Sequence, residues 1–163
     1  VGVFRGEFAR YISKAFPNSR CYLFDTFDGF DANEALKELK SGNCTHALIE
    51  AYKQTNIAAV LERMPYLDNI VIKQGYFPQS LDGLEETFVF VSIDVDFEDS
   101  IYECLTYFYP RLLRGGYLFV HDYNSTLRGV ERAVDRYEKD TDIILSKMPL
   151  CDANGTLVIT KSS

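Results

Sequence analysis

Two stretches of the chain carry side chains that could do chemistry together. Phe88 to Ile93 and Tyr117 to Val120 are runs of apolar, β-favouring residues, and each ends abruptly in polar groups: Asp94, Asp96, Glu98 and Asp99 after the first, His121, Asp122 and Asn124 after the second. A buried parallel strand delivers polar groups to the rim of a sheet in this way. In open α/β sheets that rim is where ligands bind. Carboxylates at the ends of neighbouring strands sit close together, and like charges are costly there unless a cation or proton is shared. A hard divalent ion such as Mg²⁺ would relieve Asp94 and Asp122 while leaving coordination positions for substrate oxygens. Asp96 follows Asp94 by two residues and so points the same way on a regular strand, unless the strand end already turns. It is open as a second ligand, as a substrate contact, or as a capping group, with Glu98 and Asp99, for a helix starting near Ser100.

A second group of residues lies earlier in the chain. Gly2 and Gly6 flank a turn into a helix, where absent side chains let a ligand approach the backbone. Asp25 ends a short strand roughly 20 residues later, the position at which an acidic side chain accepts hydrogen bonds from ribose hydroxyls. Asp28 and Asp31 read as turn formers. Gly75, Tyr76 and Phe77 close a further strand and are open either as core or as a flat wall for a ligand ring. No Gly-x-Gly-x-x-Gly is present, which tilts away from a dinucleotide.

The elements that must position these groups alternate. A helix is expected from Glu7 to Phe16 with Phe8, Tyr11, Ile12 and Ala15 inward, then strands at 21–24 and 69–75. Between them lie helices over 32–40 and within 45–63, with Ile49, Tyr52, Ile57, Val60 and Leu61 inward, a helical insert of about 28–65 that reads as a lid. His46 falls in it. After the strand at 88–94 come a helix from Ser100 to Leu113, a stop at Arg114-Gly115-Gly116 and the strand 117–121. A helix over 126–139 follows, with Val130, Ala133, Val134 and Tyr137 inward. Strands at 143–145 and 156–160 are joined through Asp152-Ala153-Asn154-Gly155, which is hairpin chemistry. This pattern predicts an α/β fold, a Rossmann-like three-layer sandwich whose mostly parallel sheet ends in an antiparallel hairpin.

A length of 163 residues suits one domain, 1–163, and 47% apolar with 25% charged residues suits a globular core. The chain opens as though cut inside its first strand, and a missing N-terminal segment is expected. The net charge of −7 argues against nucleic acid as partner, since phosphate neutralisation needs a basic face. No apolar run approaches the roughly 20 residues of a membrane helix, so no membrane partner is expected, and with no visible signal peptide a cytoplasmic setting is. Cys21, Cys44, Cys104 and Cys151 are scattered and read as reduced thiols. A homo-oligomer is left open.

Taken in order, Gly2-Val-Phe-Arg-Gly6, Phe24-Asp-Thr-Phe-Asp-Gly-Phe30, Gly75-Tyr-Phe77, Asp94-Val-Asp-Phe97, Tyr109-Pro-Arg-Leu-Leu-Arg-Gly-Gly116 and Asp122-Tyr123 resemble a class I S-adenosylmethionine (SAM) dependent methyltransferase. The closer resemblance is to the macrocin O-methyltransferase family, and it spans Gly2 to Lys161. It implies SAM as cofactor, with Gly2 and Gly6 at its methionine part, Asp25 at its ribose and Gly75, Tyr76 and Phe77 at its adenine. It also implies methylation of a hydroxyl on a small molecule, a sugar or glycoside, with Mg²⁺ or Mn²⁺ assisting. The family holds its metal with the first acid of the Asp-x-Asp motif and two adjacent aspartates at the next strand end. Here that pair is His121-Asp122, so the expected ligands are Asp94, His121 and Asp122, and the expected catalytic groups are Asp94 and His121. The imidazole has three readings: ligand to a softer ion such as Mn²⁺ or Zn²⁺, base near neutral pH, or hydrogen-bonding core group.

Rival readings are a metal-dependent glycosyltransferase using Asp-x-Asp, a phosphohydrolase with Asp94 as nucleophile and Asp96 as acid, and a non-catalytic SAM-fold binding module. The first two leave Gly2, Gly6 and Asp25 unexplained.

Overall fold

The computed structural model describes residues 1–30, 32–42, 45–125 and 128–162. Contacts divide the chain into two compact units, Gly2–Asp82 and Gly83–Ser163 with Val1.

In Gly2–Asp82, α1 (Glu7–Ala15) precedes β1 (Cys21–Asp25), and three helices, α2 (Ala32–Ser41), α3 (His46–Tyr52) and α4 (Ile57–Leu61), separate it from β2 (Ile70–Gln74). β1 and β2 pair in parallel, Cys21 opposite Ile70 and Asp25 opposite Gln74. A parallel pair needs a long crossover, and the expected helical insert supplies it. The core here is Ala9, Leu23, Phe27, Val60 and Met64, flanked by Val3, Cys21, Ile57, Ile70 and Ile72. The inward face of α1 differs from the expected one. Ala9 and Ser13 are buried and Ile12 is half-buried, whereas Phe8, Tyr11 and Ala15 are exposed. Close packing selects the small side chains at this helix start: a Cβ on Gly6, the residue capping α1, would lie 3.0 Å from Val60 Cγ1 and 3.1 Å from Met64 Cε. Periodicity marks the larger apolar residues and is blind to that spacing.

In the second unit β3 (Phe88–Ile93), α5 (Glu98–Arg111) and β4 (Leu112–Val120) form a parallel strand–helix–strand unit, followed by α6 (Gly129–Thr141), β5 (Ser146–Pro149) and β6 (Leu157–Thr160). The sheet order is β3-β4-β6-β5, with β6 antiparallel to both of its neighbours. The α/β class and the closing antiparallel hairpin are as expected, and all four residues expected inward on α6, namely Val130, Ala133, Val134 and Tyr137, are buried. They share that core with Ile101, Cys104, Leu105 and Phe108 of α5. Glu98 and Asp99 bond across to α6, with Arg132 at 2.7 Å and Arg136 at 3.1 Å.

Several boundaries move, and the stop expected at Arg114-Gly115-Gly116 falls inside β4, which begins at Leu112 rather than Tyr117. The strand expected at 143–145 begins instead at Ser146, because Leu145 is drawn into the core at 4% exposure while its N–H bonds Glu138 Oε1 at 2.8 Å, leaving Ile144 at 93% exposure. The helix expected to run to Leu113 ends at Arg111, because Leu112 adopts extended geometry and pairs with Phe88. The 152–155 turn forms as expected: Asp152 accepts from the Thr156 N–H at 2.7 Å and hydroxyl at 2.6 Å, which holds its carboxyl below the ordinary carboxylate value. Among the described residues Cys21, Cys104 and Cys151 form no disulfide, and no helix is long and apolar enough to cross a membrane. Asp31, Cys44 and Thr126 lie outside the described residues.

Gly116 tests this packing. A Cβ there would meet backbone that cannot easily give way, Leu113 O at 2.8 Å and Val89 O at 3.0 Å, as well as Leu112 Cδ1 at 3.1 Å. Gly116→Ala is expected to destabilise by about 1–3 kcal/mol in chemical denaturation.

Candidate functional site

The β3–β4 ladder continues one residue past β4, since the His121 N–H bonds Ile93 O at 3.0 Å. The Asp94 N–H bonds Val1 O at 3.1 Å, so Asp94 leaves β3 from a paired backbone. The chain then turns at once: Asp96 has φ 61° and the Phe97 N–H reaches back to Val95 O at 2.7 Å. Asp122 likewise has φ 58°. Left-handed geometry is unusual for residues other than glycine, and aspartate is among those that tolerate it. The loop after β4 is tied to the 152–155 turn, with the Tyr123 N–H on Gly155 O at 2.7 Å and the Asn124 N–H on Asn154 O at 3.2 Å.

These turns bring one carboxylate oxygen each from Asp94, Asp96 and Asp122 within 4.8 Å of one another. Asp96 is therefore neither extended along the strand nor a helix cap; α5 is capped by Phe97 without a side-chain bond. The early turn at Asp96 is the feature that regular strand geometry hides. His121 is outside this trio and places Nε2 3.2 Å from Ser92 Oγ, while its charge still acts on Asp94.

The electrostatic cost is visible. Asp96 is pushed up from 3.8 to about 8, first by loss of solvent, then by the charges of Asp94 and Asp122, with a hydrogen bond to Asp122. Asp94 is exposed as a residue, yet protein crowds its carboxylate: desolvation raises its pKa, His121 opposes the rise and Asp122 adds to it. Three oxygen donors that repel one another unless a proton is held fit a hard divalent cation, and Mg²⁺ or Mn²⁺ suits such a donor set.

In Gly2–Asp82 the turn before α1 is left-handed at Gly2 (φ 74°), Phe4 (φ 48°) and Gly6 (φ 78°). The Gly2 N–H bonds Phe24 O at 2.9 Å, and Asp25 accepts from the N–H groups of Val3 and Phe4. Gly75 has φ 134° and its N–H bonds Asp25 O at 2.9 Å, which places the end of β2 beside the end of β1. Gly2, Asp25 and Gly75 are thus gathered by backbone bonds at one end of the parallel pair. Tyr76 is half-buried there. Phe77 is buried edge-on against Phe24 at 6.0 Å and belongs to the core. The insert is fastened to the same turn: Tyr52 packs against Phe4 at 5.0 Å and Phe30 at 4.9 Å, Thr55 Oγ1 donates to Phe4 O, and an Arg63 Nη1 donates to Arg5 O at 2.6 Å. Sequence reasoning passed over Arg5, Thr55 and Arg63, whose roles depend on long-range contacts. Asp28 donates its N–H to Thr26 Oγ1 at 3.3 Å, as a turn former does, and His46 is exposed at the start of α3.

The raised Asp96 carboxyl sets a pH dependence. A group that binds its proton more tightly when folded stabilises fully below its unfolded pKa, and that stabilisation is lost as pH rises through the folded value, here from about 4 to about 8. Thermal melts in EDTA should show the melting temperature falling across this range, and Asp96→Asn should flatten the fall. An unchanged slope in the variant would place the titration elsewhere.

Comparison with curated proteins finds no match. Among solved structures, the O-methyltransferase NovP superposes with a TM-score of 0.80 at 22% identity, over 100% of this chain and 70% of that one. The calicheamicin methyltransferase CalS11 gives 0.74 at 14%, over 98% and 69%; its apo structure is described as that of a TDP-rhamnose 3′-O-methyltransferase. An O-methyltransferase from Bacillus cereus in complex with SAH gives 0.62 at 13%, over 98% and 71%. At these identities the likeness establishes the Rossmann-like methyltransferase fold. The macrocin-O-methyltransferase (TylF) family profile matches residues 1–158, and the glycosyltransferase, phosphohydrolase and non-catalytic readings give way to it. The chain therefore belongs to the macrocin-O-methyltransferase family of SAM-dependent O-methyltransferases.

Proposed function

We propose that this methyltransferase acts on a hydroxyl of a sugar or glycoside with the help of a divalent cation, Mg²⁺ or Mn²⁺. The observation that carries the reading is the convergence of Asp94, Asp96 and Asp122, a trio whose mutual repulsion a cation would relieve. SAM supplies the methyl group and its own leaving group, so the protein has to align the acceptor oxygen and help it lose its proton. A bound cation would hold that oxygen and lower its pKa. Asp94, Asp96 and Asp122 are the proposed ligands. His121 joins them if its ring leaves Ser92; otherwise its charge tempers Asp94, the proposed acceptor of the proton. Gly2, Gly6, Asp25, Gly75 and Tyr76 build the proposed cofactor region, with Phe77 as its buried support. The choice of a sugar rests on the family's description and on the nucleotide-sugar acceptor named for CalS11.

We read residues 1–163 as one catalytic domain in which the insert of about 28–65 serves as a lid. A reducing cytoplasmic setting suits Cys21, Cys104 and Cys151, which form no disulfide among the described residues.

Transfer of labelled methyl from SAM to a panel of nucleotide sugars and glycosides is the direct assay. EDTA should abolish transfer, Mg²⁺ or Mn²⁺ should restore it, and Asp94→Ala should lower kcat/KM by about 100-fold or more. Transfer untouched by EDTA would remove the cation from the reading. Thermal stabilisation by a nucleotide sugar with none by SAM would sink the assignment of chemistry.

A further inference from the structure

An acid at the end of the strand after the glycine turn is the obvious partner for ribose hydroxyls, yet the Asp25 carboxylate is already engaged. Its Oδ2 accepts the N–H groups of Val3 at 2.6 Å and Phe4 at 2.9 Å. Its Oδ1 accepts the Phe27 N–H at 2.7 Å, and the Thr26 hydroxyl lies at 3.5 Å. A carboxylate offers about four lone-pair sites, two on each oxygen; two N–H donors fill Oδ2, which closes the two-oxygen match to adjacent ribose hydroxyls, while the Thr26 hydroxyl gives its proton to Gly29 O and only borders Oδ1. Two of the three N–H donors belong to residues in strained geometry, Phe4 at φ 48° and Phe27 at φ 54°, a conformation that bulky side chains rarely adopt and that persists only where the surroundings enforce it. Successive N–H groups at such a turn make a concavity that attracts an anion, and here the anion is Asp25 itself. The same residue's backbone carbonyl accepts the Gly75 N–H at 2.9 Å.

We propose that Asp25 is a positioning residue: its carboxylate clamps the Gly2–Gly6 turn and the turn at Thr26–Gly29 in the shape that receives SAM, and it does not itself accept the ribose hydroxyls. The proposal rests on the cofactor reading above. It predicts that the two strained phenylalanines are held before cofactor arrives, and that the worth of Asp25 is independent of the ribose.

Calorimetric titration of the wild-type and Asp25→Asn chains with S-adenosylhomocysteine and with its 2′-deoxy and 3′-deoxy analogues separates the alternatives, at a temperature where circular dichroism shows both chains folded. Asp25→Asn should weaken S-adenosylhomocysteine by about tenfold or more, and should weaken each deoxy analogue by the same factor. A factor that falls to about one on either analogue would show a direct ribose bond and overturn the proposal. So would a folded variant with unchanged affinity, since the clamp would then serve stability alone. Should Asp25→Asn not fold, amide hydrogen exchange on the cofactor-free wild type decides: slow exchange at Val3, Phe4 and Phe27 is expected, and exchange at the rate of an open loop overturns the clamp. Failure of the wild type to bind S-adenosylhomocysteine at all would be a different result, removing the cofactor reading and the proposal with it.

Discussion

The parallel ladder between β3 and β4 is the constraint on which the acidic site depends. Ile93 lies opposite Val120, and one further bond, from the His121 N–H to Ile93 O, brings the chain out of both strands at the same level. A register change of one residue would send Asp94 or Asp122 to another depth and another face. The ladder is held by what it buries: Ile93, Leu118 and Val120 are fully enclosed, and Phe90 meets Phe119 at 4.9 Å. The irregularity between Phe88 and Phe90 falls at the far end of the pair, which leaves the strand ends regular where the three aspartates converge.

That apolar ladder creates the electrostatic problem it presents. Asp94, Asp96 and Asp122 are brought together by backbone bonds that take no account of their charge, and the raised pKa values of Asp94 and Asp96 record the conflict. Asp25 shows the opposite solution. Its carboxylate is surrounded by N–H donors, so the charge is answered inside the protein. One set of acids leaves its repulsion to be relieved by a shared proton or by the proposed cation, and the other acid accepts the N–H groups of a turn. This contrast distinguishes the proposed cation site from a carboxylate answered within the fold, even though both occur at strand ends.

Much of the architecture was legible because it follows from short-range pattern. The inward face of α6 could be read directly, since Val130, Ala133, Val134 and Tyr137 keep helical spacing and are all large or closely flanked by large residues. The endings of β1 and β3 were equally plain, because an apolar run gives way to aspartate. Where the reading went astray, a non-local contact decided. On α1 the close approach of Val60 and Met64 to Gly6 favours Ala9 and Ser13 over Phe8 and Tyr11. At 143–145 a β-favouring triplet lost its strand to the bond between Leu145 and Glu138 and to the pocket that takes Leu145 alone.

By itself, then, the order of residues determined that acids would stand at the ends of β1, β3 and β4, that helices would link the parallel strands, and that the chain would close in an antiparallel hairpin. These are consequences of alternation, propensity and turn chemistry, each settled within a few residues. Only the tertiary structure decided which acids act together. Asp96 joined Asp94 and Asp122 because two left-handed turns on different loops point at one another, and Asp25 turned inward because the N–H groups of Val3, Phe4 and Phe27 reach it first. The direction of a carboxylate depends on the donors and charges that folding places around it, and those come from residues distant in the chain.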